Sequence, residues 1–394
     1  MVTDDTLTAS GLDPVAIAQS LIRVPSITPD SGAGIEALEA VLKPLGFACR
    51  RLDFGDTANL YAELREGEGP NLCFAGHTDV VPPGDIDAWS VDPYAAEIRN
   101  GLLIGRGAAD MKGAIAAFAV AVADVRTVRR ESGQGALPGA LSFLITGDEE
   151  GPAHDGTSRA LDQLMAEGVQ LDACIVGEPT SEDHLGDIIK NGRRGSLNIV
   201  IRAEGRQGHV AYPDKAANPV MGLLDFLSDL RAVPLDDGAE GFQPSRLEVT
   251  TIDAANPAHN VIAARASAKA NIRFNTHHTR QSLIDRLNAA ASTFNGRGEV
   301  QVTLEFGGSG EAFYSPPGHL VEALAMAVAA ETGRRPELST GGGTSDARFI
   351  HKASPVAELG LKNETAHKVD EHVPVADIQR LTRIYARAIR GFFA

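Results

Sequence analysis

The sequence predicts a two-domain α/β protein in which a smaller α+β segment interrupts a layered α/β domain. In residues 1–193, short apolar strands alternate with helical stretches, which is the pattern of an α/β layered sheet. In residues 194–305, strand-like runs instead surround two helical stretches, and residues 306–394 return to helix, strand and helix. We therefore expect residues 1–193 and 306–394 to form one domain, split around an insert over residues 194–305.

The first domain opens with two predicted helices. Asp13 and Pro14 supply a cap and a first-turn proline for one helix, and Gly46 closes the second helix, which begins near residue 35. Strands and helices then alternate. The predicted strands cover residues 47–52, 59–64, 71–77, 139–146 and 172–179, and the predicted helices begin near Met111 and at Thr157.

The insert contains runs that are typical of antiparallel strands, together with two helical stretches. The predicted strands cover residues 196–205, 246–254 and 261–274, and the predicted helices cover residues 220–230 and 282–292. After the insert, the sequence predicts a helix over residues 319–333, a strand over 354–360 and a final helix over 375–393.

The charge balance excludes some classes of partner. The 394 residues include 36 Lys and Arg against 52 Asp and Glu, which gives a net charge of −16. Nucleic acids and anionic membrane surfaces bind basic proteins, so neither is expected as a partner. A small acidic substrate needs only a local basic pocket and stays compatible with this composition.

Cysteine usage and the lack of long apolar segments indicate a reduced, cytoplasmic protein. Cys49, Cys73 and Cys174 have no metal-binding spacing, and two of them lie in apolar strands, where we expect small buried hydrophobes. The N-terminal segment MVTDDTLTAS lacks an apolar signal core. The longest apolar run, residues 114–123, is about half of the ~20 residues that span a bilayer.

Side chains that can bind metals follow several of the predicted strands. They are His77, Asp79, Asp110, Glu149, Glu150, Glu178 and, near the C-terminus, His367. The carboxyl ends of strands in an open α/β sheet form one crevice, so residues far apart in sequence can meet there. Any one of these side chains alone would be expected as a solvated surface group. Their joint occurrence favours a metal site.

The run Asp148, Glu149 and Glu150 places three like charges side by side, and cations among them would offset the repulsion. Imidazoles and carboxylates suit Zn²⁺, although Co²⁺ or Mn²⁺ can occupy such sites, and the absence of thiolates disfavours a structural zinc site. Two metal ions a few ångströms apart would need a bridging carboxylate. The sequence therefore predicts a metal centre that performs chemistry.

Eight motifs resemble the M20 group of dinuclear zinc amidohydrolases and peptidases, over nearly the whole chain. They are GHTDVVPPGD, GRGAADMKG, GDEEGPAHDGT, GEPT, NGRRGS, GQGHVAYP, GGGTSDARF and NETAHKVDE. The resemblance implies a zinc-peptidase-like catalytic domain with a mixed sheet. It also implies that the insert is a lid and dimerisation domain, so we expect a homodimer.

The resemblance implies two Zn²⁺ ions per subunit, for which Co²⁺ could substitute. The implied ligands are His77 and Glu178 on one ion, Glu150 and His367 on the other, and Asp110 as the bridge. Asp79 would orient His77 and fix its tautomer. Glu149 would be the general base in amide hydrolysis, and His209 would stabilise the oxyanion in the neighbouring subunit's site.

Basic and amide side chains outside the metal centre indicate a substrate with several carboxylates. Arginine binds carboxylates through two parallel hydrogen bonds, although a pair of arginines in isolation is more often a solvated surface feature. The candidate substrate-binding residues are Lys190, Arg193, Arg194, Ser196, Tyr212, Asn260, Arg273, Thr344 and Asn363. The segment AHNVIA departs from the family, because His259 replaces a frequent polar amide and Ala263 replaces a usual proline.

Two other functions compete with this interpretation. Another metal-dependent deacylase of the same group would act on a short neutral acyl group, and its substrate would leave the Arg193–Arg194 pair with less to bind. A non-catalytic, metal-dependent binding protein on the same fold is the second alternative. The presence of Glu149 argues against it, because a protein that only binds has no use for a general base.

Overall fold

The computed structural model describes residues 10–394 of the chain. The described residues form two compact units. The first unit contains the described residues through Asn191, together with Ser315–Ser339 and Ser345–Ala394; the second contains Gly192–Tyr314 and Thr340–Thr344. The expectation about a signal segment falls largely on residues 1–9, which lie outside the described residues.

Both units contain short strands. In chain order they are β1 (Ala48–Arg51), β2 (Asn59–Arg65), β3 (Asn71–His77), β4 (Glu97–Arg99), β5 (Leu102–Ile104), β6 (Ala140–Thr146), β7 (Ala173–Val176), β8 (Ile188–Lys190), β9 (Gly192–Arg193), β10 (Gly195–Glu204), β11 (Gly208–His209), β12 (Arg246–Asp253), β13 (Val261–Ile262), β14 (Arg265–Phe274), β15 (Gln301–Gly310), β16 (Phe313–Tyr314), β17 (Glu337–Ser339), β18 (Val356–Glu358) and β19 (His372–Pro374).

Helices separate these strands. In chain order they are α1 (Pro14–Ile22), α2 (Gly32–Leu42), α3 (Gly113–Glu131), α4 (Thr157–Ala166), α5 (Pro219–Ala232), α6 (Arg280–Asn295), α7 (His319–Thr332), α8 (Ala347–Ile350) and α9 (Val375–Phe392). The predicted cap of α1 is present, because the Asp13 side chain accepts a hydrogen bond from the Val15 N–H at 2.9 Å. Gly46, at φ 95°, ends the turn that follows α2.

The first unit is built on a mixed sheet of eight strands. Its order is β1-β2-β6-β3-β7-β18-β8-β17, and a small separate sheet has the order β19-β5-β4. The central strands β6, β3 and β7 run parallel and are buried at every residue, as expected for parallel strands that are covered on both faces. Because they are parallel, their carboxyl ends lie at the same edge of the sheet.

The core of the first unit joins the central strands to α3 and α9. The rings of Phe74 and Phe118 stack with their centroids 4.5 Å apart, and Phe143 and Tyr385 meet them edge-on. Cys73 and Cys174 are buried free thiols at facing positions of β3 and β7, in the place of small hydrophobes. This packing fixes the strands whose ends carry the predicted metal ligands.

The second unit is an antiparallel sheet of order β12-β14-β10-β15 that packs against α5 and α6. Leu197 and Ile199 on β10 are buried with Phe226 of α5 and Leu287 of α6. The alternation of side chains along β10 and β14 leaves polar residues on the opposite face of the sheet. A capping box at Thr279 begins α6.

The prediction of an α/β fold with strands and helices in alternation is confirmed. The strand β15 was not predicted, and it pairs with β10 as far as Gly310, so the second unit runs to Tyr314 rather than to the expected residue 305. The expected strand over residues 261–274 is divided into β13 and β14. Among residues 10–394, no helix combines the length and apolar character that crossing a bilayer requires.

Candidate active site

Five predicted metal ligands meet at the carboxyl edge of the central strands of the first unit. His77 is the last residue of β3, Glu150 lies four residues after the end of β6, and Glu178 lies two residues after the end of β7. Asp110 lies between β5 and α3, and His367 lies between β18 and β19. The order of the parallel strands therefore explains why residues 290 positions apart come together.

Asp110 lies between the two imidazoles. Its Oδ1 is 3.2 Å from His77 Nε2, and its Oδ2 is 3.1 Å from His367 Nε2. His367 Nε2 is also 2.8 Å from Glu150 Oε1, and His77 Nε2 is 3.7 Å from Glu178 Oε1. One carboxylate oxygen thus faces each imidazole, which is the arrangement that a bridging ligand requires.

Asp79 supports this cluster through two kinds of contact. The Nδ1–H of His77 donates to the main-chain carbonyl of Asp79 at 2.8 Å, which leaves Nε2 as the nitrogen that can bind a metal. The carboxylate of Asp79 accepts the N–H groups of Glu149 and Glu150 at 3.3 and 3.0 Å. Asp79 therefore orients His77 and also anchors the loop that carries both glutamates.

The three consecutive acids of this loop have different roles. The carboxylate of Asp148 accepts the N–H groups of His154 and Asp155 at 3.0 and 3.4 Å, so it shapes the loop outside the metal cluster. Glu149 and Glu150 extend towards His77 and form groups with it that could hold a metal ion. Only two of the three adjacent charges are thus part of the cluster.

The electrostatics of the cluster indicate a deficit of positive charge. Burial raises the pKa of Glu178 well above its usual value, and the charges of Asp110 and Glu149 raise it further. Burial also raises the pKa of Glu149, with added repulsion from Asp346 and Glu150. Glu178 Oε1 is buried and has no hydrogen-bond partner among the described residues.

The same acids raise the pKa values of the two imidazoles. Hydrogen bonds to Asp110 and Glu150 raise the pKa of His367 to about 10. Burial alone would lower the pKa of His77, but Asp110, Asp79 and Glu178 raise it well above its usual value. Nitrogen and oxygen atoms that bind protons this tightly are suited to bind divalent cations instead of the protons.

Two predicted substrate-binding residues lie in the first unit. Lys190, on β8, is buried with its Nζ 3.3 Å from Ser339 Oγ and 3.7 Å from Glu182 Oε1. Asn363 has an exposed side chain, and its main-chain N–H donates to the Ser181 carbonyl at 3.0 Å.

The other predicted residues of the substrate site lie in the second unit. Arg193 Nη1 donates to the Gly343 carbonyl at 3.1 Å, and a Cβ at Gly310 would lie 3.1 Å from the Thr344 methyl group. Asn260 accepts the Val210 N–H through its carbonyl at 3.1 Å.

His209, the last residue of β11, and Tyr212, which follows that strand, form an exposed aromatic pair in the second unit. Their ring centroids are 5.7 Å apart. His209 Nδ1 accepts the Ala211 N–H at 3.0 Å, which makes Nε2 the protonated nitrogen of the neutral ring. Nε2 of His209 is therefore available as a hydrogen-bond donor.

An unpredicted arginine, Arg246, lies beside Arg273 on the face of the second unit's sheet that is opposite α5 and α6. Ser196 on β10 is directly opposite Arg273 on β14, which is directly opposite Arg246 on β12. Burial lowers the pKa of Arg194, and the charges of Arg273 and Arg246 lower it further. Arg194 Nε is buried without a hydrogen-bond partner among the described residues.

Two more residues beside the cluster, Arg106 and Glu371, were missed in the sequence. Glu371 lies in the motif NETAHKVDE, four residues after His367, and Arg106 lies in GRGAADMKG. Both are buried, with 2 % and 0 % exposure for Arg106 and Glu371, respectively. A charged residue within a metal-ligand motif is the signal that could have identified them.

Comparison with known proteins identifies the family. The model of peptidase family M20/M25/M40 matches residues 73–391, and the chain belongs to this family. It is 54 % identical to the succinyl-diaminopimelate desuccinylase of Caulobacter vibrioides over 387 residues, which cover 97 % of each chain. It is 52 % identical to the enzyme of the same name from Maricaulis maris over 397 residues, covering 100 % of this chain and 99 % of that one.

Two solved structures share the fold. The aminopeptidase PepT of Bacillus cereus matches with a TM-score of 0.77 at 20 % identity, covering 96 % of this chain and 98 % of that one. The Bacillus subtilis YXEP protein, described as a dinuclear metal-binding peptidase from the M20 family, matches with a TM-score of 0.69 at 14 % identity, covering 98 % of both chains. At these identities the likeness establishes the fold alone.

Proposed function

We propose that the chain is a succinyl-diaminopimelate desuccinylase, which hydrolyses N-succinyl-LL-2,6-diaminopimelate to succinate and LL-2,6-diaminopimelate in the biosynthesis of diaminopimelate and lysine. The observation that carries the proposal is the 54 % identity, over 97 % of both chains, to a relative of that name. Membership of a peptidase family makes the chain a hydrolase. The cluster around Asp110 supplies residues that suit amide hydrolysis.

The proposal includes two divalent cations per subunit, Zn²⁺ with Co²⁺ as a substitute. The residues that would hold them are His77 and Glu178, Glu150 and His367, and Asp110 between the two pairs. When bound, such ions lower the pKa of water towards about 7 and polarise the carbonyl group that is attacked. The buried, unpartnered Glu178 Oε1 supports this occupancy.

Glu149 would move the proton in this reaction. Hydrolysis adds the hydroxyl of water to the succinyl carbonyl carbon and the proton to the departing amine, so one group must carry the proton between them. Burial and neighbouring acids raise the pKa of Glu149, which suits a carboxylate that must both accept and release a proton. The contact between the Glu149 N–H and Asp79 holds the base in position.

His209 would donate to the oxyanion that develops on the carbonyl oxygen. Its Nδ1 is engaged by the Ala211 N–H, which leaves Nε2–H as the donor. In the proposed homodimer, this exposed side chain serves the neighbouring subunit's site. A cytoplasmic location, expected for an enzyme of amino-acid biosynthesis with free cysteines, belongs to the same proposal.

The three carboxylates of the substrate would be bound by basic and polar side chains. Arg194 and Arg273, which have no acidic partner among the described residues, supply positive charge in the second unit, and Arg246 lies directly opposite Arg273 on the neighbouring strand. Lys190, Arg193, Ser196, Tyr212, Asn260, Thr344 and Asn363 complete the proposed substrate-binding set. An arginine without an acidic partner is suited to a carboxylate ligand.

The test is a comparison of two substrates. We expect the Zn²⁺-loaded protein to have a kcat/KM for N-succinyl-LL-diaminopimelate that exceeds its kcat/KM for N-acetylornithine by several orders of magnitude. A preference for acetylornithine would retain the metal chemistry and overturn the assignment of the arginines. Inactivity on both substrates, with metal bound, would contradict the proposed function.

A further inference from the structure

Glu371 links two segments that carry metal ligands. Its Oε1 accepts the N–H groups of Ala109 and Asp110 at 2.8 and 3.1 Å, and its Oε2 accepts from Arg106 Nη1 at 2.6 Å. Its main-chain carbonyl accepts the Gly105 N–H at 2.9 Å. A single buried side chain therefore holds the backbone of the residue that lies between the two imidazoles.

Arg106 extends this link to the segment that carries His367. The same Nη1 donates to the carbonyl of Lys368, the residue after His367, at 3.2 Å, and Nη2 donates to the Pro82 carbonyl at 3.3 Å. The guanidinium carbon also lies 5.3 Å from the centre of the Trp89 ring. Arg106 is thus fixed on several sides.

The local backbone explains why such support is needed. Asp110 has φ −125° and ψ 92°, which is not helical, so the turn before α3 does not pair its buried N–H groups as a helix would. His367 has φ 64°, in the left-handed region, which surrounding contacts must maintain in a residue other than glycine. Both conformations place a ligand, and Glu371 and Arg106 contact the main chain beside both.

We propose that Glu371 is a positioning residue that sets the separation between Asp110 and His367, with Arg106 as its partner. Glu371 itself offers no atom to a metal, because its two oxygens are occupied by N–H groups and a guanidinium. It acts by fixing the direction of the Asp110 carboxylate, whose two oxygens face different imidazoles. This inference rests on the metal centre of the proposed function.

The test compares metal binding in Glu371→Gln with a matched control, Glu66→Gln. Glu66 also accepts from an arginine and from a main-chain N–H, with Arg126 Nε at 2.8 Å and the Leu137 N–H at 2.9 Å, but it is not among the metal-site residues. Metal-free protein is titrated with Zn²⁺ against a chromophoric chelator. The absorption spectrum of the Co²⁺-loaded protein and the thermal midpoint are recorded in parallel.

We expect Glu371→Gln to bind Zn²⁺ roughly 10- to 100-fold more weakly and to alter the Co²⁺ absorption bands. At saturating metal, kcat falls and KM is retained. Glu66→Gln lowers the thermal midpoint but keeps the affinity and the spectrum of the unaltered protein. An affinity and a spectrum in Glu371→Gln equal to those of the unaltered protein, with only a loss of stability, would overturn the inference.

A second variant keeps the test decisive if Glu371→Gln does not fold. Arg106→Lys retains the positive charge beside Glu371 but cannot reach the Lys368 and Pro82 carbonyls together, so we expect a smaller loss of Zn²⁺ affinity in the same direction. Unchanged affinity in that variant contradicts the inference. If the unaltered protein binds neither Zn²⁺ nor Co²⁺, the proposed function fails at its metal centre, which is a different result from unaltered affinity in the variants.

Discussion

Two groups of polar side chains, one in each unit, differ in whether hydrogen bonds within the chain satisfy their carboxylates. In the second unit, Asp236 accepts the N–H groups of Gly238 and Ser245 at 2.7 and 3.2 Å, Asn275 Nδ2 at 2.6 Å, and His278 Nε2 at 3.0 Å. Its side chain is fully satisfied and only 7 % exposed.

The cluster around Asp110 in the first unit has the opposite property. Several buried carboxylates surround two imidazoles, Glu178 Oε1 has no hydrogen-bond partner among the described residues, and the pKa values of Glu149 and Glu178 are raised. A satisfied acid holds the fold together, whereas acids that the chain leaves unbalanced require a ligand.

The largest effect is expected at the general base. Glu149→Gln should lower kcat by roughly 10²- to 10⁴-fold, because an amide cannot carry a proton from water to the leaving amine. The Zn²⁺ content should not change, since Glu149 is not a proposed ligand. Turnover equal to that of the unaltered enzyme, measured at matched metal content, would remove Glu149 from the mechanism.

The opposite pattern is expected in the satisfied cluster. Asp236→Asn should lower the free energy of unfolding by about 2 to 3 kcal/mol, because hydrogen bonds to the charged group are lost, and it should leave kcat of the folded enzyme unchanged. Urea unfolding measures the loss. Glu305→Gln, which breaks only an exposed pair with Arg202, is the control and should change the free energy of unfolding far less. A fall in kcat of Asp236→Asn without a loss of stability would contradict the distinction between an acid that stabilises the fold and acids that bind a ligand.

The pH dependence of this difference has a definite sign. Burial alone would raise the pKa of Asp236, but hydrogen bonds from Ser245, Gly238 and Asn275 lower it well below its usual range. The stabilisation is therefore complete above the pKa of the unfolded chain, about 3.9, and is lost as the pH falls through the native pKa. The stability difference between Asp236→Asn and the unaltered protein should therefore shrink as the pH falls below about 4.

The sequence predicts the contents of the metal cluster better than the contacts that support it. Each ligand adjoins a strand or motif that can be recognised locally, as His77 does at the end of β3. Glu371 could not be placed, because its contact with Asp110 depends on the pairing of β19 with β5 across more than 260 residues. Arg246 was not predicted for a similar reason. Its position opposite Arg273 depends on the register of β12 against β14, which is shifted between Val249 and Thr251.

An arginine of the second unit that has no acidic partner should bind a ligand, as we expect of the unbalanced acids in the first unit. Arg273 has no ion pair among the described residues. Arg273→Ala should raise KM for the succinyl substrate roughly 10- to 100-fold with little change in kcat. The reason is that a hydrogen-bonded charge is lost equally from the bound substrate and the transition state. A large fall in kcat at unchanged KM would instead place Arg273 in the chemical step.

Arg246 should give the smallest effect and the sharpest test. It is exposed, so Arg246→Ala should raise KM only about two- to five-fold, the range expected for a solvated charge pair. The matched control is Arg206→Ala, because Arg206 is also exposed but is already bound by Glu299 at 3.0 and 2.8 Å. If charge balance decides which arginines bind substrate, only the unpaired Arg246 affects KM. Equal effects of the two variants would mean that the overall charge of the protein, rather than an unpaired arginine, attracts the substrate.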